Sequence, residues 1–469
     1  MNGGYLGYRV LWPLVPAMAM VMIDFTIVSI SATEIQKDLG LSETAAQWLV
    51  TAYALSTAAF IALGGRFGDI IGHRRIVITG IVLFAASSTM CGLTPDGSDI
   101  STPWIITFRV LQGVGGAMLV PSATVLVLNA FPPEQRGKGL SVFFIVAGLF
   151  TAIGPVAGSF ITEYWTWRGI FWINVPVALL ALGEIARVKL SDERHPARVD
   201  WTGAFLIVAG MGLTVLGIQQ STVWGWGDPR TIVALVVGVL LLIAFVAAER
   251  RTRDTPPLID IRAMAANRPF AVDNILTFLA FGPWLGVFFF GSVYFQVAVG
   301  QSPTQAGFSI LTMFYTFFLG SRIGGIWMDR YGPKRPVVLG FLAGAAGMVL
   351  WGTELADLGH LETTAGMLVT GAGFGLIFSP LNADALNRVP EAIRGQASGI
   401  TQTFRNFGSA VGMAIMGTIV AGATDLTGAA GAQDFADAMK TAYFVGAGMM
   451  AVGLVVAQAF MAGKQADIQ

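Results

Sequence analysis

An eleven-residue phrase that occurs twice is the feature that most restricts how this chain can fold. GRFGDIIGHRR, at residues 65–75, returns 260 residues later as GIWMDRYGPKR, at residues 325–335. A second pair of landmarks, Arg136-Gly137 and Arg394-Gly395, is offset by 258 residues. Two landmarks with nearly one offset indicate a tandem duplication, so a fold for this chain must contain two similar halves.

The composition indicates that both halves are embedded in a membrane. Hydrophobic residues make up 54% of the 469 residues and charged residues only 12%, whereas an average soluble protein is roughly 25% charged. A helix needs about 20 mostly apolar residues to cross the hydrocarbon core, and the apolar runs here lack the alternation of barrel strands. We therefore predict an all-α polytopic membrane protein.

Fourteen apolar runs have the length of membrane-spanning helices. They lie at residues 11–33, 46–65, 76–94, 103–128, 139–162, 169–188, 201–220, 230–248, 270–293, 304–325, 336–354, 363–385, 396–421 and 440–462. The offset of 260 carries the start of the first run to the start of the ninth, so the repeated unit has six helices. The prediction is an N-terminal six-helix bundle at 1–188, a linker with two extra helices at 189–269, and a C-terminal six-helix bundle at 270–469.

The basic residues of the loops predict the orientation in the membrane. Loops on one side hold 19 Arg and Lys residues, and loops on the other side hold four, which are Lys37, Arg168, Arg230 and Lys440. Cytoplasmic loops carry the excess of basic residues, so we expect both termini in the cytoplasm and the protein in the cell membrane. The first run is too long for a cleavable signal and is expected to be the first span.

Two charged residues are predicted to lie deep in the membrane. Asp24 is about halfway along the first run and Arg109 lies within the fourth. Because an idle charge is costly there, Asp24 is a candidate for loading and releasing a proton, or for neutralising a cationic substrate. Arg109 has no basic counterpart near Met367 in the second half, which argues against a purely architectural role. A fixed ion pair, or an arginine held by carbonyl groups, is the structural alternative.

The repeated phrase is a candidate conformational latch. Its glycines allow a tight turn and close helix approach, and its aspartate can meet an arginine or the positive end of a neighbouring helix. Such a contact can form in one conformation and break in another. A basic loop that only sets topology is the alternative. The candidate latch residues are Gly65, Asp69, Gly72, Arg74, Asp329 and Arg330.

Further candidates lie in the fifth run and in the polar and aromatic positions of other runs. Gly154 and Gly158 give the fifth run a smooth face, and Pro155 kinks it, although generic small-residue packing gives the same pattern. Aromatic residues adapt to flat apolar ligands, although most of them must face lipid or pack helices. The residues with a predicted place in a substrate cavity are Gln112, Trp284, Phe288, Tyr294, Arg405 and Asn406.

These phrases resemble the signature motifs of the major facilitator superfamily. The repeated phrase resembles its loop between helices two and three, with Ile70 and His73 replacing usual basic residues. The stretch RVLQGVGG, at 109–116, resembles the fourth-helix motif whose arginine is tied to proton movement, and GPVAG, at 154–158, resembles the antiporter motif of exporters. DFTIV, at 24–28, resembles the first-helix motif of drug/proton antiporters, with Ser29 in place of the usual Asn.

WTWRGIFWINVP, at residues 165–176, is similar to a stretch typical of the fourteen-helix drug/proton antiporters. The resemblance covers nearly the whole chain and implies the major facilitator fold, with two six-helix bundles and two extra helices between them. It also implies that Asp24 and Arg109 serve proton coupling, and that the substrate is a small molecule exchanged for protons across the lipid bilayer. We expect a monomer.

The sequence therefore predicts a proton-coupled antiporter that exports apolar, cationic or amphipathic drugs by alternating access. A dedicated exporter of one metabolite or antibiotic is the nearest alternative. An uptake symporter is disfavoured by the fifth-run glycines, a sensor or scaffold by the cost of idle intramembrane charges, and an enzyme by the lack of a catalytic constellation.

No cofactor or metal is expected. The chain has one cysteine, Cys91, and three histidines that are far apart, and no Walker-type phosphate loop. The net charge of zero gives no sign of a nucleic-acid partner.

Overall fold

The computed structural model describes residues 7–132, 136–188, 199–250, 262, 266–357, 360–389, 394–421 and 428–463. All regular secondary structure in these ranges is helical. Three parts of the predicted linker, residues 189–198, 251–261 and 263–265, lie outside the described residues. The basic side chains that the first two parts contribute to the predicted orientation therefore also lie outside them.

Within the described ranges, one long helix accompanies each of the fourteen predicted runs. The helices of the first half are α1 (Leu11–Leu39), α2 (Glu43–Ile71), α3 (His73–Gly92), α4 (Ser98–Asn129), α5 (Arg136–Tyr164) and α6 (Gly169–Trp172, continuing as Asn174–Arg187). The inserted helices are α7 (Trp201–Trp224) and α8 (Pro229–Glu249). The helices of the second half are α9 (Arg268–Val297), α10 (Pro303–Tyr331), α11 (Lys334–Glu354), α12 (His360–Asn387), α13 (Arg394–Val420) and α14 (Gly428–Phe460).

Eleven of the described helices are long and apolar enough to cross a membrane. The count is twelve if the two parts of α1, Gly7–Asp24 and Thr26–Leu39, which meet at 42°, form one span. This count covers only the part of the chain that the structure describes, and α13 is the polar helix among the fourteen, since it carries two arginines, two glutamines and an asparagine. The prediction of an all-α polytopic protein is confirmed, and the number of fourteen spans stays a prediction.

Helix ends and helix contacts repeat with the offset of the sequence. Gly72 ends α2 with φ of 111°, and Gly332 ends α10 with φ of 82°, a backbone conformation that glycine adopts without strain. Ser42 and Ser302, also 260 residues apart, cap the starts of α2 and α10 by accepting a backbone hydrogen bond. The duplication therefore fixes where the equivalent helices begin and end.

Glycine pairs bring equivalent helices into backbone contact. A Cβ on Gly80 would lie 2.9 Å from the carbonyl oxygen of Gly115, where α3 meets α4. A Cβ on Gly340 would lie 2.8 Å from the carbonyl oxygen of Gly373, where α11 meets α12. Since side chains would separate these backbones, the repeated glycines explain why both halves pack the same helix pairs closely.

The chain forms two compact units, and their division passes through the inserted helices. The first unit comprises Met1–Gly212 and Leu241–Ile259, and the second comprises Leu213–Leu240 and Asp260–Gln469. A buried apolar cluster in the first unit includes Leu14, Phe84 and Phe131. The predicted boundaries at 188 and 269 stay a prediction.

Candidate functional site

Asp24, Arg109 and Gln112 form a closed, buried hydrogen-bonded triangle in the first unit. Arg109 Nη1 donates to Asp24 Oδ2 at 2.6 Å and to Gln112 Oε1 at 2.8 Å. Gln112 Nε2 donates to Asp24 Oδ1 at 2.7 Å. The three residues are at most 1% exposed. Each carboxylate oxygen therefore has one donor, and one of these donors is charged.

Helix α2 holds the arginine from a second side. Arg109 Nε donates to the carbonyl oxygen of Leu49 at 2.6 Å, and the guanidinium lies 4.6 Å from the centre of the Tyr53 ring. The Tyr53 hydroxyl in turn donates to the carbonyl oxygen of Val21 on α1. Among the described residues, no partner accepts from Arg109 Nη2, which is buried. The arginine is held firmly but keeps an unused donor.

The local sequence explains how three helices meet at this point. Arg109 and Gln112 are three residues apart on α4, so they share one face of the helix. The next residue, Gly113, brings α4 against α2, because a Cβ there would overlap the Ser56 hydroxyl and lie 2.6 Å from the carbonyl oxygen of Tyr53. Glycine at 113 thus lets the α2 backbone reach the arginine.

Asp24 lies at the bend of α1, where α1 also meets α5. The Thr26 hydroxyl is 3.2 Å from the carbonyl oxygen of Ile23, a local contact that tends to bend helices. It donates across the helix contact to the carbonyl oxygen of Thr151, at 2.9 Å. Pro155 lacks an N–H and so cannot donate to that carbonyl as residue i+4 of a helix usually does. The segment of α5 around Pro155 is thus hydrogen-bonded to the bend of α1, two residues from Asp24.

Gly154 and Gly158 form the rest of this contact. A Cβ on Gly154 would overlap the Thr26 hydroxyl and lie 3.1 Å from the carbonyl oxygen of Ile23. A Cβ on Gly158 would lie 2.5 Å from the Ile27 side chain. Gly154 and Gly158 therefore let α5 approach closely the segment of α1 that carries Asp24, and their role as an antiporter motif stays a prediction.

The first copy of the repeated phrase lies mostly in helices rather than in a loop. Residues 65–71 complete α2, Gly72 forms the turn, and α3 begins at His73. The side chain of Asp69 is 3.3 Å from His73 Nε2 and 3.7 Å from Arg66 Nη1. His73, which stands where the family pattern has an arginine, is thus a direct neighbour of Asp69.

The other latch candidates have different partners. Arg74 Nη2 donates to the carbonyl oxygen of Ile185 near the end of α6, at 3.3 Å. Gly65 is in ordinary contact with Pro121, whereas the tighter approach of α2 to α4 is at Gly64. In the second copy, Arg330 lies over the Tyr331 ring at 5.3 Å, and the described residues include no ion pair of Asp329. The two copies share backbone geometry but not side-chain partners.

The aromatic cavity candidates belong to a cluster inside the second unit. Trp284 stands 260 residues after Asp24, at the equivalent position of the repeat. Its ring centre is 5.0 Å from those of Phe317 and Phe374 and 5.7 Å from that of Phe314, which also contacts Phe288. An aromatic cluster in one half thus replaces the charged triangle in the other.

The remaining cavity candidates do not gather at one point. Tyr294 is fully buried, and its hydroxyl donates to the carbonyl oxygen of Leu355. Arg405, on α13, lies 5.6 Å from the centre of the Phe281 ring on α9. Its neighbour Asn406 is buried. Gln112 belongs to the charged triangle. A cavity role for these residues stays a prediction.

Sequence reasoning missed the residues that hold the triangle in place. Tyr53 and the Leu49 carbonyl act from α2, and Thr26 acts on a carbonyl 125 residues away. Gln112 had a detectable signal, since it follows Arg109 by three residues on a helix. No signal in the sequence indicates the contact of Thr26, because its partner is the backbone carbonyl oxygen of Thr151 on another helix.

Comparison with known proteins agrees with the motifs. Residues 14–413 match the model of the Major Facilitator Superfamily. The chain is 34% identical over 418 residues to the tetracenomycin C resistance and export protein of Streptomyces glaucescens, covering 87% of this chain and 76% of that protein. It is 31% identical over 408 residues to multidrug resistance protein 3 of Bacillus subtilis, covering 87% and 78%. It is 34% identical over 425 residues to a puromycin resistance protein of Streptomyces alboniger, covering 88% and 82%.

Solved structures support the same fold. A D-xylose-proton symporter has a TM-score of 0.69 at 16% identity, with 97% of this chain and 98% of that chain covered. A peptide transporter in complex with sulfate has a TM-score of 0.66 at 16% identity, with 97% and 96% covered. Sequence, fold and relatives agree: this multi-pass membrane protein is a transporter, not an enzyme, and it belongs to the major facilitator superfamily, among relatives that are drug and antibiotic resistance exporters.

Proposed function

We propose that this transporter exports apolar, cationic or amphipathic drugs in exchange for protons, by alternating access. The observation that carries the proposal is the buried triangle of Asp24, Arg109 and Gln112. Ionisable groups at membrane depth are costly unless they are used. The resistance proteins among its relatives support export as the direction of transport.

The chemistry of the triangle suits a proton switch. When Asp24 is ionised, Arg109 neutralises it and both oxygens have donors. A proton on Asp24 removes the negative charge and leaves the buried guanidinium without its counter-ion, a strongly unfavourable arrangement. Protonation therefore favours a rearrangement of α1 against α4. One charge that crosses 100 mV is worth about 2.3 kcal/mol, enough to support a substantial solute gradient.

The α1–α5 contact gives this rearrangement a route to the rest of the first unit. Thr26 connects the Asp24 segment to the carbonyl group released by Pro155, and Gly154 and Gly158 let the two backbones slide without side chains between them. We propose that these residues form the bending contact of the transport cycle, and that Asp69 forms a latch at the α2–α3 turn.

The test is ethidium transport by purified protein in proteoliposomes under an imposed pH gradient. Ethidium is a flat amphipathic cation. Asp24→Asn keeps the shape of the side chain but cannot carry a proton, so we expect it to retain ethidium binding and to lose gradient-driven transport down to the level of empty liposomes. The control is Asp99→Asn, which changes an exposed carboxylate in the first turn of α4 and should transport as the wild type does.

Arg109→Ala tests the other half of the pair. It leaves a buried carboxylate without its cation, which costs about 3–5 kcal/mol in buried pairs, so its thermal stability should fall as well as its transport. Full gradient-driven export by Asp24→Asn would remove Asp24 from the mechanism. Equal transport by the wild type with the pH gradient and the membrane voltage collapsed would refute proton coupling altogether.

A dedicated exporter of one antibiotic is the second candidate, because two relatives are named for single compounds, tetracenomycin C and puromycin. A panel of ethidium, puromycin and tetracenomycin C in a host without its own pumps separates the two. Resistance to several unrelated compounds supports a multidrug exporter, and resistance to one supports a dedicated exporter. Acidification of the compartment that loses the solute would indicate exchange for protons, and its alkalinisation would indicate symport.

The topology completes the proposal. We propose fourteen spans with both termini in the cytoplasm, two six-helix bundles joined by the inserted helices α7 and α8, and a monomeric transporter. Cysteines introduced singly into the α6–α7 and α8–α9 connections of a Cys91→Ser variant should be labelled by an impermeant thiol reagent only from the cytoplasmic side.

A further inference from the structure

A second group of buried charges lies in the second compact unit, far in sequence from the triangle. Asp273 on α9 is 1% exposed and Asp384 on α12 is 5% exposed. Helices α9 and α12 meet here, since Asn267 at the start of α9 donates from Nδ2 to the carbonyl oxygen of Arg388 at the end of α12, and each carboxyl group is a charged neighbour of the other. Arg388, one turn after Asp384, donates from Nη2 to Asp384 Oδ2 at 3.0 Å. Two buried carboxyl groups thus lie near one arginine, which is bound to Asp384.

The hydrogen bonds leave one carboxylate oxygen without a donor. Arg388 Nη2 also reaches the carbonyl oxygen of Gly463, at 3.3 Å, and the arginine's ion pair is with Asp384. Among the described residues, no group donates to Asp273 Oδ2, which is buried. Two ionised carboxylates in contact repel each other, and a proton on Asp273 removes the repulsion and supplies the missing donor between the two groups.

We propose that Asp273 and Asp384 hold one exchangeable proton between them and form a second proton-binding site of the transport cycle. In the part of the chain that the structure describes, the charged groups that face Asp273 are Asp384 and Arg388, both from α12. Arg388 Nη2 donates to Asp384, and no hydrogen bond from it reaches Asp273 among the described residues, so Asp273 is the carboxyl group that takes the proton and shares it with Asp384. It leaves to water when α9 and α12 move so that the arginine faces both carboxylates.

The duplication shows that the fold does not require these charges. The chain before α1 donates from Gly7 N to the carbonyl oxygen of Ala130, at 2.8 Å. The chain before α9 donates from Asn267 Nδ2 to the carbonyl oxygen of Arg388, at 2.6 Å. The positions are 260 and 258 residues apart, so the two contacts are equivalent and both halves connect the same helix pair in the same place.

The first half fills that place with apolar residues. Pro13 stands at the position equivalent to Asp273, and Leu126 at the position equivalent to Asp384. Leu126 belongs to the buried apolar cluster of the first unit. Since a proline and a leucine meet the needs of the architecture, the carboxyl pair of the second half serves something that the architecture does not require.

The proton itself is measurable without any substrate. Protonated carboxylic acids have an infrared carbonyl band of their own, which can be followed against pH in purified protein in lipid. We expect a component of this band to disappear reversibly on alkalinisation in the wild type and to be absent in Asp273→Asn. Asp384→Asn should also lose it, because Arg388 then faces Asp273 alone. Asp273→Glu should keep a shifted band, and Asp437→Asn, an exposed change on α14, should leave it unchanged.

The role in transport rests on the proposed function and is measured as protons moved per ethidium in proteoliposomes. We expect Asp273→Asn to move fewer protons per ethidium than the wild type, and Asp437→Asn to match the wild type. A wild-type infrared band in Asp273→Asn would refute the shared proton. A wild-type proton count in that variant would refute its role in transport. Full export by Asp24→Asn would sink the proposed role of Asp24 alone, since the infrared test of Asp273 does not depend on it.

Discussion

Gly154→Ala tests whether the close contact of α1 and α5 matters for both stability and transport. The added methyl group would overlap the Thr26 hydroxyl and lie 3.1 Å from the carbonyl oxygen of Ile23, whereas a non-bonded carbon needs roughly 3.5 Å. Either α5 moves away from α1, or Thr26 rotates and gives up its hydrogen bond to Thr151. Both outcomes disturb the helix segment that carries Asp24.

The expected cost follows from competing effects. Alanine is favoured over glycine inside a helix by about 0.5–1 kcal/mol. Overpacking a well-packed contact costs about 1–3 kcal/mol, and leaving the Thr151 carbonyl without its donor costs about 1–3 kcal/mol. The clash should win, with a net destabilisation of about 1–2 kcal/mol. Transport should fall further than stability, because the bending contact loses its freedom to slide.

The matched control is Gly183→Ala on α6, where a Cβ has no neighbour within 4 Å. That variant should be as stable as the wild type or slightly more stable, since only the helix preference acts. The assay is thermal unfolding of both purified variants, followed by ethidium transport in proteoliposomes. If Gly154→Ala unfolds at or above the unfolding temperature of Gly183→Ala and transports normally, the close contact of α1 and α5 contributes neither to stability nor to transport.

Two further predictions use isosteric changes. Thr26→Val removes the hydroxyl that donates to Thr151, so stability should fall by about 1–3 kcal/mol in thermal unfolding. Thr79→Val, whose hydroxyl is exposed, should change stability little, and equal effects of the two variants would contradict the role of the hydrogen bond between Thr26 and Thr151. Asp69→Asn removes the ionic neighbour of His73, but the Asp69 side chain is 36% exposed, so stability should fall by less than about 1 kcal/mol. Ethidium transport should slow markedly, and a normal rate would refute the latch.

The sequence predicts the helices well because bilayer thickness sets their length and apolar runs mark their middles. The sequence predicts the helix ends less well, because charged residues such as Arg66 and Asp69 end the apolar run while the helix itself continues. The predicted run ends at residue 65, whereas α2 continues to Ile71, so the sequence predicts a loop at residues that are helical. The turn itself is reduced to Gly72, whose positive φ is the one feature that glycine is needed for.

Prediction of the candidate site is limited in a different way. The cost of charge in lipid singles out Asp24 and Arg109 from the sequence, and the structure brings them together at 2.6 Å. It does not single out Thr26, because a threonine at a helix contact looks like any other until its partner is known. Asp273 and Asp384 each look like a residue near a helix end that reaches towards water. Their contact across 111 residues of sequence makes them a buried pair.

Comparison of the two halves separates residues that the fold requires, which occur in both halves, from residues that occur in one half only. The glycine contacts at Gly80 and Gly340 occur in both halves because both halves pack the same helices. The buried charges do not recur: Trp284 replaces Asp24, and Met367 stands at the position of Arg109. A transporter with two equivalent halves would carry its charges twice if the architecture required them. Because Asp24, Arg109, Asp273 and Asp384 each occur in one half only, at a cost that the other half avoids, the asymmetry between the halves indicates where proton chemistry is to be sought.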